Sequence, residues 1–167
     1  VLQKGIEKPS EILNHINKCL SKVFDKGQTS TVRDGMDISL CVVDWEAMKL
    51  QYAGAFNPLY MIRGGAFRKI KGNRQPIGNI GNQIKTFTNH EIDIKKGDAF
   101  YIFSDGYMDQ FGGPDNKKFK QTRFINTLLN NHDQEMPDQG KILERLFEEW
   151  KADNYQVDDV LVIGFRI

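Results

Sequence analysis

Cysteine is scarce in this sequence, with 2 residues in 167. So few cannot make a disulfide scaffold. Cys19 falls in an apolar helical pattern and Cys41 in a strand pattern, so both read as small buried hydrophobes. The 3 histidines, His15, His90 and His132, lie far apart and none sits beside a cysteine pair, which excludes a zinc-finger type of site. No apolar run approaches the roughly 20 residues a helix needs to cross a bilayer, and no signal peptide opens the chain. An excess of charge is lacking too: 23 Lys and Arg face 22 Asp and Glu, a net charge of +1. That balance gives no electrostatic case for nucleic acid or an anionic membrane as the main partner. The chain opens on Val rather than Met, and Val1 to Gly5 reads like the end of a helix. The expectation is a piece of a longer protein, cytoplasmic in character.

What is present suits one globular domain over residues 1–167, with 40% hydrophobic and 27% charged residues. A chain of this size buries on the order of 70% of the surface its unfolded form exposes. Pro9-Ser10-Glu11 looks like a helix start, and Ile12, Leu13, Ile16, Leu20, Val23 and Phe24 follow at helical spacing until Asp25-Lys26-Gly27. The period then changes. Met36 to Val43, Lys49 to Gly54, Leu59 to Arg63 and Ala66 to Ile70 read as strands, the last two joined by a Gly64-Gly65 hairpin turn. Ile84 to Ile94 alternates like a strand, and Lys95-Lys96-Gly97-Asp98 turns into the apolar run Ala99 to Phe103. Helical spacing returns over Phe119 to Asn130 and Pro137 to Trp150, and Val160 to Ile167 reads as a closing strand. This order predicts an α+β fold with helices packed on mostly antiparallel sheet.

Two segments could carry chemistry. In Ser104-Asp105-Gly106 an apolar strand ends and presents Asp105 at its rim, with Gly106 leaving room beside the carboxylate. In Val157-Asp158-Asp159-Val160 a carboxylate pair precedes the last strand, and if the pair lies on the strand its members point to opposite faces. Each alone reads equally as a turn or a solvated strand entry. Together they place two Asp at strand ends without Cys or His nearby, an all-oxygen donor set of the kind that selects Mg²⁺ or Mn²⁺ over zinc. A divalent cation relieves the repulsion between such carboxylates and suits water activation for attack on phosphate. Arg33-Asp34-Gly35-Met36-Asp37 is not a calcium loop, because the later ligand positions fall on apolar Leu40 and Val42. Tyr52-Ala53-Gly54-Ala55-Phe56-Asn57-Pro58 and Gln75-Pro76-Ile77-Gly78 read as architecture, and Phe111-Gly112-Gly113-Pro114 as a flexible loop after Asp105.

Taken in order, these segments resemble the SpoIIE-type branch of the metal-dependent bacterial Ser/Thr protein phosphatases. The resemblance rests on Asp34-Gly35-Met36-Asp37, on Ala53-Gly54 with Asn57-Pro58-Leu59, and on Gln75-Pro76-Ile77-Gly78. It continues through Lys96-Gly97-Asp98, Phe103-Ser104-Asp105-Gly106, Asp109-Gln110-Phe111-Gly112-Gly113 and Gln156-Val157-Asp158-Asp159-Val160, covering nearly the whole chain. The wording is most similar to sensor-linked phosphatases of Bacteroidetes-like bacteria. The resemblance implies a β-sandwich with flanking helices and a two-metal Mn²⁺ or Mg²⁺ site. Asp105 and Asp158 map onto catalytic metal ligands, with the Gly106 backbone and Asp159 as further candidates. The implied substrate is a phosphorylated protein, such as a regulator of the anti-sigma-factor-antagonist kind. An upstream sensor domain is implied as well, through which the parent protein could be tethered to a membrane.

Two departures from the family pattern stand out. The N-terminal acidic strand and the Asp-x-x-Gly-His-Gly segment that carries the bridging Asp are not in this sequence, and Leu161 stands where the family often has Thr. The expectation is therefore the C-terminal portion of a truncated phosphatase domain, inactive alone, whose exposed sheet edges favour a homodimer. The alternative is a non-catalytic signalling module that keeps the fold.

Overall fold

The structure, a computed structural model, describes residues 8–24, 35–78 and 86–167. In chain order the elements are α1 (Pro9–Phe24), β1 (Ile38–Asp44), β2 (Lys49–Ala55), β3 (Leu59–Arg63), β4 (Ala66–Ile70), β5 (His90–Asp93) and β6 (Ala99–Phe103). There follow α2 (Gly106–Asp109), β7 (Phe111–Gly112), β8 (Lys117–Lys118), α3 (Gln121–Asn130), α4 (Met136–Lys151) and β9 (Val162–Arg166). The α+β expectation holds: antiparallel sheets carry flanking helices. The chain divides into two compact units, one within residues 1–59 and 70–95, the other within 60–69 and 96–167.

In the first unit β2 is the centre of a three-stranded sheet of order β1-β2-β5. The β1–β2 hairpin closes because the Asp44 carboxylate accepts from the amides of Glu46 and Ala47 at 3.0 and 2.8 Å, an Asx turn. Leu13 of α1 packs with Ala53, Ala55, Ile77 and Phe87 in a buried cluster flanked by Ile16, Leu20, Ile38 and Leu40. The inner stripe of α1 is largely polar: Ser10, Asn17 and Ser21 are buried beside Leu13. Its amides serve backbone elsewhere. The Asn17 carbonyl oxygen accepts from the Gly78 amide at 2.8 Å, and that of Asn14 from the Phe87 amide at 2.9 Å. Cys19 is exposed, contrary to the sequence expectation, because it lies outside this stripe.

The architectural segments behave as expected. Met36 and Ile77 exchange backbone hydrogen bonds at 2.9 Å each way. Tyr52 donates its hydroxyl to the Asn57 carbonyl at 2.5 Å, in the space beside Gly54. The helix end Asp25-Lys26-Gly27, residue Asp34 and the Ile84-Lys85 start of the expected strand lie outside the described residues.

In the second unit the sheet order is β4-β3-β6-β9. Gly64 and Gly65 have φ of +53° and +78°, the left-handed pair that a tight hairpin between β3 and β4 needs. α3 and α4 cover this sheet through Tyr60, Tyr101, Phe103, Tyr107, Phe124, Leu128, Leu143 and Phe147. The aromatic rings meet edge-on or tilted, as their quadrupoles prefer: Tyr107 lies 5.1 Å from Phe119 and 5.0 Å from Phe124 between ring centres. At one end of β3 the guanidinium of Arg63 grips Asp98 with two hydrogen bonds, of 2.7 and 2.6 Å.

The segment expected as a flexible loop, Phe111 to Pro114, is instead the start of a short hairpin in which Phe111 pairs with Lys118 and Gly112 with Lys117. The reason is α4. The Gly113 amide donates to the Trp150 carbonyl at 2.8 Å, and a Cβ on Gly112 would lie 1.7 Å from that same oxygen.

Candidate metal-binding edge

β6 is buried almost throughout, with the pattern of a strand covered on both faces, and it releases the chain at Ser104. Asp105 is exposed and stands at the head of α2, with no hydrogen bond from its side chain to the helix start. The Asp105 main-chain carbonyl accepts from Met108 and Asp109 at 2.9 and 3.0 Å, which bends the chain into one helical turn just after the strand.

The second acidic segment is brought to the same place by Ser104. Its hydroxyl donates to the Asp159 carbonyl at 2.7 Å and accepts from the Leu161 amide at 2.9 Å. Its own amide donates to the Leu161 carbonyl at 3.0 Å. Gly106 then lies so close that a Cβ there would sit 2.4 Å from the Asp159 oxygen. The backbones of 104–106 and 158–161 are therefore in direct contact. The Asp158 carboxylate accepts from the Asp159 amide at 2.7 Å, leaving its other oxygen free of that bond, and Asp158 and Asp159 are both exposed. The pair precedes β9 rather than lying in it, so the opposite-face argument for strand neighbours does not apply.

Sequence reasoning singled out the carboxylates and missed the groups that hold them. Gln110 is fully buried. Its amide nitrogen donates to the carbonyls of Phe111 and Tyr155 at 3.0 and 2.9 Å, and its side-chain oxygen accepts from the Val157 amide at 3.3 Å. It thus pins the chain that leads into Asp158. Trp150 donates its indole N–H to the Gln110 carbonyl at 3.1 Å. A Gln beside an apolar residue and two glycines carries little signal by itself. Only the fold shows that it serves three backbone groups.

This edge offers carboxylate and carbonyl oxygens, the donors that Mg²⁺ and Mn²⁺ prefer, on backbone already fixed by hydrogen bonds. Among the described residues no group of three or more His, Cys, Asp or Glu side chains converges as a metal cluster. What the edge offers is two exposed carboxylates, Asp105 and Asp158, whose oxygen chemistry suits a divalent cation.

The profile of the Stage II sporulation protein E (SpoIIE) family matches residues 1–167. The chain belongs to the SpoIIE family. Among solved structures, the SiaA PP2C domain of Pseudomonas aeruginosa is 28% identical with a TM-score of 0.85, over 96% of this chain and 61% of that one. The SpoIIE phosphatase domain of Bacillus subtilis, in crystals presoaked with manganese, is 17% identical with a TM-score of 0.62, over 98% of this chain and 74% of that one. A Mycobacterium tuberculosis structure of RsbU and RsbW domains is 15% identical with a TM-score of 0.72, over 99% of this chain and 43% of that one. The last two likenesses concern the fold alone. No curated protein sequence matches. The chain thus spans about three fifths of the SiaA domain, and it has the phosphatase fold.

Proposed function

We propose that the SpoIIE domain to which this chain belongs is a metal-dependent protein Ser/Thr phosphatase acting on a phosphorylated regulatory protein. The observation that supports this reading is the two-way hydrogen bond of Ser104, which sets the Asp105 turn against the Asp158–Asp159 segment. Asp105 and Asp158 would hold Mn²⁺ or Mg²⁺, with the Gly106 backbone and Asp159 as further oxygen donors. A divalent cation so held supplies charge stabilisation on phosphoryl oxygens and a more acidic water.

The residues of this chain contribute positioning. Ser104 fixes the spacing of the two acidic segments, Gly106 permits their close approach, and Gln110 holds the entry to Asp158. Placement of this kind is what phosphoryl transfer asks of a protein, since little covalent chemistry falls to its side chains.

The substrate would be a phosphoserine or phosphothreonine protein, such as an anti-sigma-factor-antagonist-like regulator, and an upstream sensor would control the reaction in the intact protein. The test is Mn²⁺-dependent release of phosphate from a phosphoserine peptide by the intact protein, alongside its Asp105→Asn and Asp158→Asn variants. Loss of turnover in both variants supports the reading. Undiminished turnover in both removes it. A second reading is a non-catalytic signalling module that keeps the phosphatase fold. It predicts no metal-dependent turnover in the intact protein.

A further inference from the structure

The turn that presents Asp105 also carries a basic cleft. Lys118 pairs with Asp109, the last residue of α2, at 2.8 Å, and the amides of Phe119 and Lys120 donate to the carbonyls of Gln110 and Met108 at 2.9 and 2.8 Å. α2 begins immediately after Asp105 and is 4 residues long, about 6 Å at the helical rise. The strand-to-helix segment 117–123 is thus fastened roughly one turn away from the acidic edge.

This segment lines a cleft of about 680 Å³ together with the start of α3 and Trp150. Its charged residues are Lys117, Lys118, Lys120 and Arg123 against one carboxylate, Asp115. Lys117 is paired with Asp115 at 3.0 Å. Among the described residues Lys120 and Arg123 have no carboxylate partner. The guanidinium carbon of Arg123 sits over the indole of Trp150, 3.9 Å from the ring centre, and 5.5 Å from the centre of the Phe119 ring. A guanidinium held over a ring still has N–H groups to offer an outside acceptor. Lys120 is held at φ +71°, a left-handed backbone for a residue with a side chain. Surrounding structure must impose such strain, and it gathers at binding sites.

We propose that this cleft docks an acidic segment of a partner protein, and that in the phosphatase reading the partner is the phosphoprotein substrate. The assignment to substrate rests on that reading, whereas the binding itself does not. The charge is complementary to Asp, Glu and phosphoserine. The Arg-on-Trp stack is of a kind enriched at the energetic centre of protein interfaces. Duplex nucleic acid and anionic bilayers call for an extended positive field, whereas this chain carries a net charge of only +1.

The test measures fluorescence anisotropy of a fluorescein-labelled Asp/Glu-rich peptide, with and without one phosphoserine, on titration with the intact protein. Lys120→Glu combined with Arg123→Glu is expected to weaken binding by roughly tenfold or more. Lys141→Glu with Arg145→Glu, the same charge change on α4 outside the cleft, is expected to leave it unchanged. Equal weakening by both pairs overturns the proposal, because the attraction is then only net charge. So does tighter binding of a DNA duplex or of phosphatidylserine vesicles than of the peptide. Lys120→Gln with Arg123→Gln carries the same test if the reversed pair does not fold. Peptide binding that survives the cleft substitutions sinks the docking site and leaves the phosphatase reading standing. Turnover that survives Asp105→Asn and Asp158→Asn sinks the phosphatase reading and leaves the binding result standing.

Discussion

The hydroxyl of Ser104 donates to the main-chain carbonyl of Asp159 across 2.7 Å, and the same oxygen accepts from the Leu161 amide at 2.9 Å. One short side chain therefore sets the distance between two segments more than fifty residues apart in sequence. Ser104→Ala removes both bonds. The contacts are solvent-exposed, so the stability loss should be small, about 1 kcal/mol. Metal binding should suffer more, since groups that orient ligands typically matter by about tenfold or more in affinity. Mn²⁺ titration by calorimetry on the intact protein should show that weakening. Ser104→Thr, which keeps a hydroxyl, should restore most of the affinity. An alanine variant that binds Mn²⁺ as tightly as the parent would show that Ser104 is only structural.

Glycine at 106 is required by contact. A Cβ there would meet the Asp159 oxygen at 2.4 Å and its carbonyl carbon at 3.0 Å, both backbone atoms that cannot swing aside. Gly106→Ala should destabilise by about 2 kcal/mol through overpacking and should also push apart the two acidic segments. Gly140, within α4, faces open space: a Cβ there would meet nothing within 4 Å. Gly140→Ala should stabilise by roughly 0.5–1 kcal/mol through helix propensity. Thermal melts of the two variants should therefore move in opposite directions. Parallel shifts would contradict the packing derived for Gly106.

Much of this fold is legible in the residues, and the failures share one cause. Leu59–Arg63, Ala66–Ile70 and Ala99–Phe103 are strands with the bounds the pattern predicts. The first and last are short apolar runs and the middle one is fixed by the Gly64-Gly65 turn, so local chemistry suffices. The expected strand from Ile84 to Ile94 is a ladder only at His90–Asp93 among the described residues. Before it, the amides of Phe87 and Thr88 go to the side chains of Asn14 and Asn73, both at 2.9 Å. Alternation reports which residues face inward, but it cannot report that a distant asparagine has taken the backbone's hydrogen bonds. The backbone bonds made by Gln110 and the polar stripe of α1 escaped notice for the same reason. Asp105 and Asp158 were visible because acids at strand ends are conspicuous by position, whereas their contact depends on Ser104 and on the tertiary fold.

The two cysteines should differ sharply in reactivity. Cys19 is exposed, its sulfur 3.6 Å from the His15 ring nitrogen Nε2. Cys41 is half-buried in β1, not fully buried as the sequence pattern suggested, and that burial pushes its thiol up to about 12 from an ordinary 9.0. Only the thiolate attacks an alkylating reagent, so at pH 8 iodoacetamide should label Cys19 and spare Cys41. The sign for stability follows from linkage. A thiol whose folded pKa is raised supports the fold fully below the unfolded value near 9.0, and that support is lost as pH climbs toward about 12. Stability should therefore fall over this alkaline window, and Cys41→Ala should flatten the part of the fall due to this thiol. Rapid labelling of Cys41 at pH 8 in the folded protein would refute its burial.

Arg63 and Asp98 of the second unit make an ion pair of unequal burial. The two hydrogen bonds of 2.7 and 2.6 Å are bidentate, yet the Asp98 side chain is 1% exposed while that of Arg63 is 39% exposed. The desolvation cost sits almost entirely on the carboxylate, at the turn that leads into β6 and so toward Asp105. Removing the arginine should therefore hurt more than the worth of a surface pair, which is close to zero to 1 kcal/mol. Solvent reaching the guanidinium side keeps the loss below that of a fully buried pair, so Arg63→Met should cost about 2 kcal/mol, or roughly 5 °C in melting temperature. Asp98→Asn in the Arg63→Met background should regain part of this, because a neutral amide is cheaper to bury than a carboxylate that has lost its guanidinium. A double variant less stable than Arg63→Met alone would mean that the Asp98 carboxylate draws its main support from other groups.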